Sequence, residues 1–563
     1  ASGYAGGEAD AVRRAIEVMP SGQEKTDGKS DMIEGTAEGT EVVVPVAIPA
    51  AAIDGASELL VKVYPGLVRQ AVEGLDSILQ MPSGCFEQTS SSTYPNVMVL
   101  DYLQTSGQTT PEVELKAREY INLGYQRLLT YEVSGGGFSW FGEAPAHNVL
   151  TAYGLMEFGH MARVHPVDEA VISRTQAWLA SGQASDGSWV PTDGGIAEGA
   201  INKYENNVLR TTAYVLWALV ESGYEGAAMD RAASYISAHR GEAADAYTQA
   251  IIAVALVGMD PDSAVARDMM DALAASAIVE NGAAHWDGGS DAGLTYSTGD
   301  APAIETPAIT ALAFMRSGSN IDLAQQALVW LVRNKDSFGN WSTTQATVYA
   351  LLAMITAIEG SGAPAEGTIQ VFHNGSLAET LAITAADYDV FRQVDLKTLV
   401  VEGENEVRLV FTGTGNLMYQ VVGTHWEPWA GSTDPGTGPV GVDVTYDHTS
   451  LTTDDTVTVT VAMHNRTDEN LLMVMLDLGV PPGFSVVTDD LDALVAAGTF
   501  ARYEMTGRQI IVYFEVVPAG DTAFSYRMTA DNPIEAEAPA SRVWLYYNPE
   551  VESFSEPIRV NVD

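Results

Sequence analysis

The chain contains one cysteine in 563 residues, Cys85, so it cannot form an internal disulfide. It is also poor in basic residues: 28 lysines and arginines stand against 74 aspartates and glutamates, which gives a net charge of −46. Because so acidic a surface repels nucleic acid, we expect no partner of that class. Long apolar runs are missing too, so the sequence predicts no transmembrane segment. The N-terminal ASGYAGGEAD lacks the basic and apolar regions of a signal peptide, and we expect the chain to begin within a longer precursor.

The single cysteine lies three residues before a glutamine, in the stretch MPSGCFEQTS. The Cys85 thiol can attack the side-chain amide of Gln88, expel ammonia and form an internal thioester, which is a stored acyl group for a later nucleophile. The helical periodicity of YPNVMVLDYL, from Tyr94, predicts that Cys85 lies at or just before a helix N-terminus. There the helix dipole would favour the thiolate. The alternative is a small buried cysteine with an unrelated glutamine nearby.

The longer block PSGCFEQTSS with YPNVMVLDYL resembles the thioester signature of the α2-macroglobulin and complement family, usually Gly-Cys-Gly-Glu-Gln. Cys85, Glu87 and Gln88 match the motif, whereas Phe86 replaces its second glycine, as in bacterial members. Similarity continues in VEGLDSILQMPSG before the motif and in GGFSWFG after it. The resemblance implies a Cys85–Gln88 thioester as the site, with no metal and no other cofactor. The lack of disulfides favours a bacterial member, extracellular or in the cell envelope.

The apolar pattern changes along the chain in a way that predicts a multidomain α + β protein. Residues 105–360 carry helical apolar spacing, with Gly-x-Trp or similar turns recurring between the helices, which predicts repeated hairpins closed into an α/α toroid. Strand-like segments occur on both sides of it. By resemblance, the toroid is a thioester domain inserted in a CUB-type β-sandwich, followed by a C-terminal macroglobulin-like, or receptor-binding-like, β-sandwich. The predicted boundaries are 1–66 and 363–430 for the CUB-like domain, 67–362 for the toroid, 431–439 for a linker and 440–563 for the final sandwich.

A thioester must be shielded from water until it is used. The resemblance implies that the C-terminal domain supplies the shield, and Met473 and Tyr503 match its shielding positions. On the motif's own side, Phe86 and Tyr94 are candidate lid or pocket aromatics. Ordinary core packing is the alternative for each of the four.

Complement-type members use a histidine after an Asp-Gly turn to form an acyl-imidazole. The matching stretch here, SDGSWVPTDGGIAEG at 185–199, has Ala197 near that place and no histidine. A histidine elsewhere in the sequence could take its place in space, and the candidates are His147, His160 and His285. Without such a histidine, amines attack the thioester directly, so we predict a preference for lysine ε-amines over carbohydrate hydroxyls.

These features favour a fragment of a bacterial α2-macroglobulin-like protein. Each molecule would capture one protease, or one other protein or cell-surface nucleophile, and so would act as a protease inhibitor and not as an enzyme. Upstream macroglobulin domains of the same precursor are its expected partners. The alternative is a non-covalent interaction module with a lost thioester. A toroid enzyme, such as a terpene cyclase or prenyltransferase, would need an Asp-x-Asp-Asp cluster or zinc ligands, which the sequence lacks. The turn tryptophans are therefore interpreted as packing residues: Trp140, Trp189, Trp286 and Trp341.

Overall fold

The chain combines a helical middle with β-sheets on both sides, the α + β organisation that the sequence predicts. The computed structural model describes residues 2–5, 8–11, 20–64, 79, 81–82, 84–106, 111–191, 207–287, 294, 301–335, 341, 344–359, 365–384, 392–429, 438–505, 508–546 and 548–563. Most of the predicted linker at 431–439, and the predicted boundary near 66, lie outside these residues. Within them, every helix is too short or too polar to cross a membrane.

Eleven of the described helices form two layers between the sheets. The inner layer consists of α1 (Phe86–Ser106), α3 (Asn148–Met161), α5 (Val208–Glu221), α7 (Ala246–Met259), α9 (Ala301–Ser317) and α11 (Thr344–Glu359). The outer layer consists of α2 (Pro111–Leu129), α4 (Glu169–Ser181), α6 (Ala227–His239), α8 (Ala264–Ser276) and α10 (Ile321–Arg333). Each inner helix contacts the next, and α11 contacts α1, so the inner layer closes into a ring.

The two layers differ in the spacing of their apolar residues. Helix α7 is apolar on nearly all sides, and ten of its 14 residues are buried. Helix α8 buries one stripe, Ala266, Met269, Met270 and Leu273, at the spacing of a single helix face. The sequence therefore assigns the first pattern to the inside of the ring and the second to its outer surface.

Tryptophans of the turns hold the ends of the outer helices. The indole N–H groups of Trp189, Trp286 and Trp341 donate to the carbonyl oxygens of Leu179, Leu273 and Leu331 at 2.7, 2.6 and 2.6 Å, and all three indoles are buried. Each acceptor lies in the last turn of an outer helix, where carbonyls lack partners within the helix. This repeated contact is the packing role that the sequence predicts for these tryptophans.

A β-sandwich is built from strands before and after the ring. One sheet has the order β11-β10-β13-β4 and the other β12-β5-β14-β3. The strands are β3 (Gln23–Glu34), β4 (Thr40–Ile48), β5 (Glu58–Tyr64), β10 (Glu366–His373), β11 (Ser376–Ile383), β12 (Arg392–Asp395), β13 (Gly403–Thr414) and β14 (Asn416–Glu427). Arg333 of α10 pairs with Asp31 of β3 at 2.6 Å and ties this sandwich to the ring. The described hairpins outside it are β1 (Ser2–Ala5) with β2 (Glu8–Ala11), β6 (Glu132–Val133) with β7 (Gly137–Phe138), and β8 (Ile278–Glu280) with β9 (Ala283–His285).

The C-terminal part forms a second set of sheets, with orders β15-β17-β22-β19, β16-β26-β23 and β20-β21-β18-β24-β25. Its elements are β15 (Val440–Tyr446), β16 (Ser450–Leu451), β17 (Thr456–Asn465), β18 (Leu471–Gly479), β19 (Phe484–Val486), α12 (Thr488–Ala496), β20 (Arg502–Met505), β21 (Gln509–Val517), β22 (Gly520–Ala530), β23 (Ile534–Glu537), β24 (Arg542–Leu545), β25 (Asn548–Phe554) and β26 (Arg559–Val562). One face of the five-stranded sheet lies against the start of α1, where Cys85 is found.

Candidate functional site

Cys85 is the last residue before α1 begins at Phe86. The backbone N–H of Thr89 donates to the Cys85 carbonyl at 2.9 Å, which makes the first hydrogen bond of the helix. Gly84 has φ +88°, and a Cβ at that position would lie 2.0 Å from Gln88 Oε1, so the turn requires glycine. The thiol therefore lies just before a helix N-terminus, as the sequence predicts.

The side-chain amide of Gln88 folds back over this turn. The Cys85 N–H donates to Gln88 Oε1 at 3.0 Å, and Gln88 Nε2 donates to Met475 Sδ at 3.3 Å. Both Cys85 and Gln88 are buried, at 0% and 6% exposed. The amide carbonyl is therefore polarised by a backbone donor of the same turn that carries the thiol, which is the arrangement acyl transfer between them requires.

Burial raises the pKa of the Cys85 thiol to about 12, and the nearby Glu87 carboxylate adds to the increase. The expectation that the helix dipole favours the thiolate is thus wrong for this closed site. Loss of water around the sulfur outweighs the dipole, because a buried charge is poorly solvated. Glu87 itself is buried, accepts a hydrogen bond from the Ser91 hydroxyl at 2.9 Å and lies beside Tyr546.

Phe86 packs into the wall of the ring beneath the turn. Its ring centroid lies 5.0 Å from that of Phe138, and its Cζ would be 2.5 Å from a Cβ at Gly154. Tyr94 is nine residues beyond Cys85, about 13 Å along the helix at 1.5 Å per residue. Its hydroxyl lies 2.6 Å from His160 Nδ1, so it belongs to the buried interior of the ring.

Met473 of β18 reaches out of its own sandwich into the core of the ring. Its φ is +50°, and it has no partner in the pairing of β18 with β21, in which Leu472 faces Val516 and Val474 faces Phe514. The positive φ and the interrupted pairing at this residue turn Met473 towards the ring. The N–H of Tyr546 donates to the Met473 carbonyl at 3.0 Å, and Tyr546 packs against the same core.

Tyr503, predicted as the second shielding residue, is partly buried and packs against the core of the C-terminal sandwich. Its ring centroid lies 6.5 Å from that of Phe500, and its hydroxyl donates to Asp492 at 2.8 Å. Strand alternation gives the reason: Tyr503 is in register with Val512 and so lies on the sandwich-core face.

The opposite face carries residues that the sequence analysis missed. Arg502 is in register with Tyr513, and Tyr513 with Met475, so these three side chains form one row facing the thiol turn. Met475 contacts Gln88, and Tyr513 is buried. The alternation within RYEM, which places residues 502 and 504 on one face and 503 on the other, is the signal that could have identified this row.

Charged side chains surround the backbone of Gly84. From α2, Arg127 donates to the Gly84 carbonyl through Nη2 at 2.9 Å and Nε at 3.3 Å, and the Tyr131 hydroxyl donates to the same oxygen. From β20, Arg502 donates to that oxygen at 3.3 Å, and Glu504 accepts from the Gly84 N–H at 3.1 Å. Glu504 also forms ion pairs with both arginines.

The three candidate histidines all have other contacts. His160 lies between Tyr94 and Glu221, with Nε2 3.1 Å from the Glu221 carboxylate. His147 caps α3 by accepting from the Leu150 N–H at 3.3 Å, and burial lowers its pKa to about 4. His285 stacks on Trp330 at 4.0 Å. Ala197, where the resemblance expects a histidine, lies outside the described residues.

Two family profiles match the chain. That of the A-macroglobulin TED domain covers residues 61–356, and that of the A-macroglobulin receptor binding domain covers residues 469–556. The chain belongs to the α-macroglobulin family. The first match contains Cys85 and Gln88, and the second contains Met475 and Glu504, so the site lies where these two domains of an α-macroglobulin chain meet.

Relatives and solved structures extend over nearly the whole chain. Ovostatin of Gallus gallus is 24% identical over 97% of this chain, which spans 38% of the ovostatin length. A crystal structure of Salmonella α2-macroglobulin reacted with methylamine has a TM-score of 0.70 at 16% identity, over 99% of this chain and 34% of that one. A crystal structure of native Escherichia coli α2-macroglobulin, from domain MG7 to the C-terminus, has a TM-score of 0.68 at 16% identity. The match covers 96% of this chain and 82% of that one. These two structures share the fold.

Proposed function

We propose that Cys85 and Gln88 form an internal thioester that captures an amine nucleophile covalently. The observation that carries this proposal is the hydrogen bond of 3.0 Å from the Cys85 N–H to Gln88 Oε1 in a buried turn. It holds the amide to be attacked beside the only thiol of the chain. The thiol adds to the Gln88 amide carbon, ammonia leaves with the thiol proton, and an amine later takes the place of sulfur.

The target proposed is a protease or another protein that presents lysine side chains, captured once per molecule. Membership of the α-macroglobulin family and the likeness to an α2-macroglobulin reacted with methylamine support this choice. The engagement of His147, His160 and His285 in other contacts supports direct attack by amines. Other domains of a longer α-macroglobulin precursor would bring the target to the site, outside the cell or in its envelope.

We assign the ring to the toroid thioester domain, the sandwich around it to the CUB-type domain and the final sandwich to the macroglobulin-like domain that shields the bond. Met473, Met475, Tyr513 and Tyr546 are the proposed shield, since each lies on the surface where that sandwich meets the ring. Cys85, Gln88 and the motif residue Glu87 form the reactive group, with no other cofactor.

Intact mass spectrometry of fresh protein, with thiol titration, tests the proposal. We expect a mass lower by one ammonia, a blocked Cys85 and addition of one methylamine that frees the thiol. Cys85→Ser and Gln88→Ala are the controls, and both should show the full calculated mass with no uptake. If the wild-type protein has the full calculated mass and a titratable thiol, the thioester is absent, and the alternative function, a non-covalent interaction module, is favoured.

Competition between nucleophiles tests the proposed preference. Methylamine should consume the thioester faster than glycerol at equal concentration, because an amine attacks without a base whereas a hydroxyl must lose its proton. Faster consumption by glycerol would mean that a histidine or another base activates hydroxyls, and the preference for lysine would then be withdrawn.

A further inference from the structure

We infer that Arg127 is a positioning residue for acyl transfer at Gln88, acting through the Gly84–Cys85 peptide. Its guanidinium polarises that peptide, so that the Cys85 N–H stabilises the negative charge that develops on Gln88 Oε1. The inference rests on the proposed thioester function and identifies a residue that raises the rate of acyl transfer at that site.

The geometry is a chain of hydrogen bonds through one peptide unit. At the carbonyl end, Gly84 O accepts from Arg127 Nη2 at 2.9 Å and from Nε at 3.3 Å. At the amide end of the same unit, the Cys85 N–H donates to Gln88 Oε1 at 3.0 Å. A cation on the oxygen of a peptide draws electron density from its nitrogen, and this makes the N–H a stronger donor.

Formation of the thioester and its attack by an amine both place negative charge on the same oxygen. Attack by sulfur on Gln88 Cδ, or by an amine on the thioester, moves the carbonyl electron pair onto Oε1. Collapse of this tetrahedral species restores the carbonyl and expels ammonia in the first case or the Cys85 thiol in the second, with the proton passing from nucleophile to leaving group. A donor aimed at Oε1 lowers both barriers, since the oxyanion forms in each.

The cationic donors come from two parts of the molecule. Arg127 belongs to α2 of the ring and Tyr131 lies just beyond the end of that helix, whereas Arg502 belongs to the C-terminal sandwich. If the sandwich separates to expose the bond, Arg502 and Glu504 leave with it and Arg127 stays. Arg127 is therefore the cationic donor to Gly84 that would still act on the exposed thioester.

The helix that carries Arg127 also carries a matched control. Arg118 donates from Nη1 to the Val164 carbonyl at 3.1 Å and pairs with Glu114, so it makes a backbone contact and an ion pair away from the site. Arg127→Gln and Arg118→Gln remove the same charge from the same helix. Arg127→Lys keeps the charge and should restore most of the effect.

The first readout is the amide signal of Cys85. Because this is the only cysteine, a ¹⁵N-cysteine label reports its N–H alone. We expect the proton signal to move upfield in Arg127→Gln, to stay in place in Arg118→Gln and to return towards the wild-type position in Arg127→Lys. Equal shifts in the two glutamine variants would overturn the inference. Tyr131→Phe, which removes a neutral donor to the same oxygen, gives a smaller upfield shift and serves if Arg127→Gln does not fold.

The second readout is the rate of methylamine incorporation, measured by mass. Loss of a direct oxyanion donor slows reactions by about 10²–10³, so loss of a group that acts through the peptide should slow this one roughly tenfold. An unchanged rate with an intact thioester would overturn the inference and leave the proposed function standing. A wild-type protein that never loses ammonia would refute the proposed function, and the Cys85 signal would still decide the role of Arg127.

Discussion

The two sides of the thiol turn differ in chemistry. The backbone side, at Gly84, is surrounded by Arg127, Arg502 and Glu504, whereas the side-chain side, at Cys85 and Gln88, is covered by methionine sulfur and tyrosine rings. Both sides are completed by the C-terminal sandwich, so its docking fixes the turn and excludes water at once.

The difference separates two physical tasks. Ion pairs and charged hydrogen bonds are directional, and they define where the Gly84 backbone lies. Methionine fills irregular space, and its sulfur is at most a weak acceptor, so Met475 keeps water from Gln88 without binding the carbonyl oxygen. Variants that affect one side alone should therefore change either the docking or the lifetime of the bond.

The largest effect expected concerns the thiol on the covered side. In Gln88→Ala, which cannot form a thioester, a pKa of about 12 in place of 9.0 leaves about a thousandfold less Cys85 thiolate at neutral pH. Alkylation by iodoacetamide should be slower by that order than in the same variant unfolded in urea. The folded rate should still rise tenfold between pH 9 and 10, where the unfolded control levels off; a plateau near pH 9 in both would contradict a buried, desolvated thiol.

The next effect comes from opening the cover. Met475→Ala removes the sulfur at 3.3 Å from Gln88 Nε2, and water and small amines can then reach the carbonyl. We expect the thioester half-life in buffer and the methylamine reaction time to shorten roughly tenfold, equivalent to 1.4 kcal/mol of barrier. Met463→Ala is the control, since Met463 is buried in the same sandwich away from the ring. Equal lifetimes in the two variants would mean that Met475 is not part of the shield.

The sequence predicts the fold well because its patterns are local. Inner and outer helices differ in apolar spacing, as α7 and α8 show, and strand-like segments before and after them mark the surrounding sheets. The Cys85 to Gln88 spacing likewise identifies the candidate site, because one turn of chain carries both reacting groups.

The environment of the site could not be predicted in the same way. Met475, Arg502 and Glu504 lie about four hundred residues beyond Cys85, and only the docking of two domains brings them to it. Tyr503 is predicted from the family resemblance as a shielding residue, yet strand alternation places it against the core of the sandwich. The raised pKa of the Cys85 thiol could not be predicted for a related reason. The sequence near the cysteine indicates a helix N-terminus, but it does not show that a distant domain buries the sulfur.

A smaller effect is expected on the charged side. Glu504→Gln leaves Arg127 and Arg502 without their carboxylate in a partly exposed setting, where such ion pairs contribute about 1 kcal/mol. In a Gln88→Ala background, the reaction of Cys85 with a thiol reagent should begin at lower urea concentration. Glu114→Gln, which removes the partner of Arg118, is the control and should leave this midpoint unchanged. Identical midpoints would show that the ion pairs do not hold the sandwich.

The last effect concerns the wall of the ring, which belongs to neither side of the turn and is tested through pH. His147 is buried with its pKa lowered to about 4, so the unfolded chain, with a pKa near 6.5, binds this proton more readily. Its contribution is therefore full above pH 6.5 and lost as the pH falls towards 4, by about 1.5 kcal/mol between pH 6.5 and 5. In His147→Asn, which retains an N-cap acceptor, the free energy of unfolding should fall by about 1.5 kcal/mol less than in the wild type between pH 6.5 and 5. A His147→Asn curve that follows the wild-type curve would mean that protonation of His147 does not destabilise the ring.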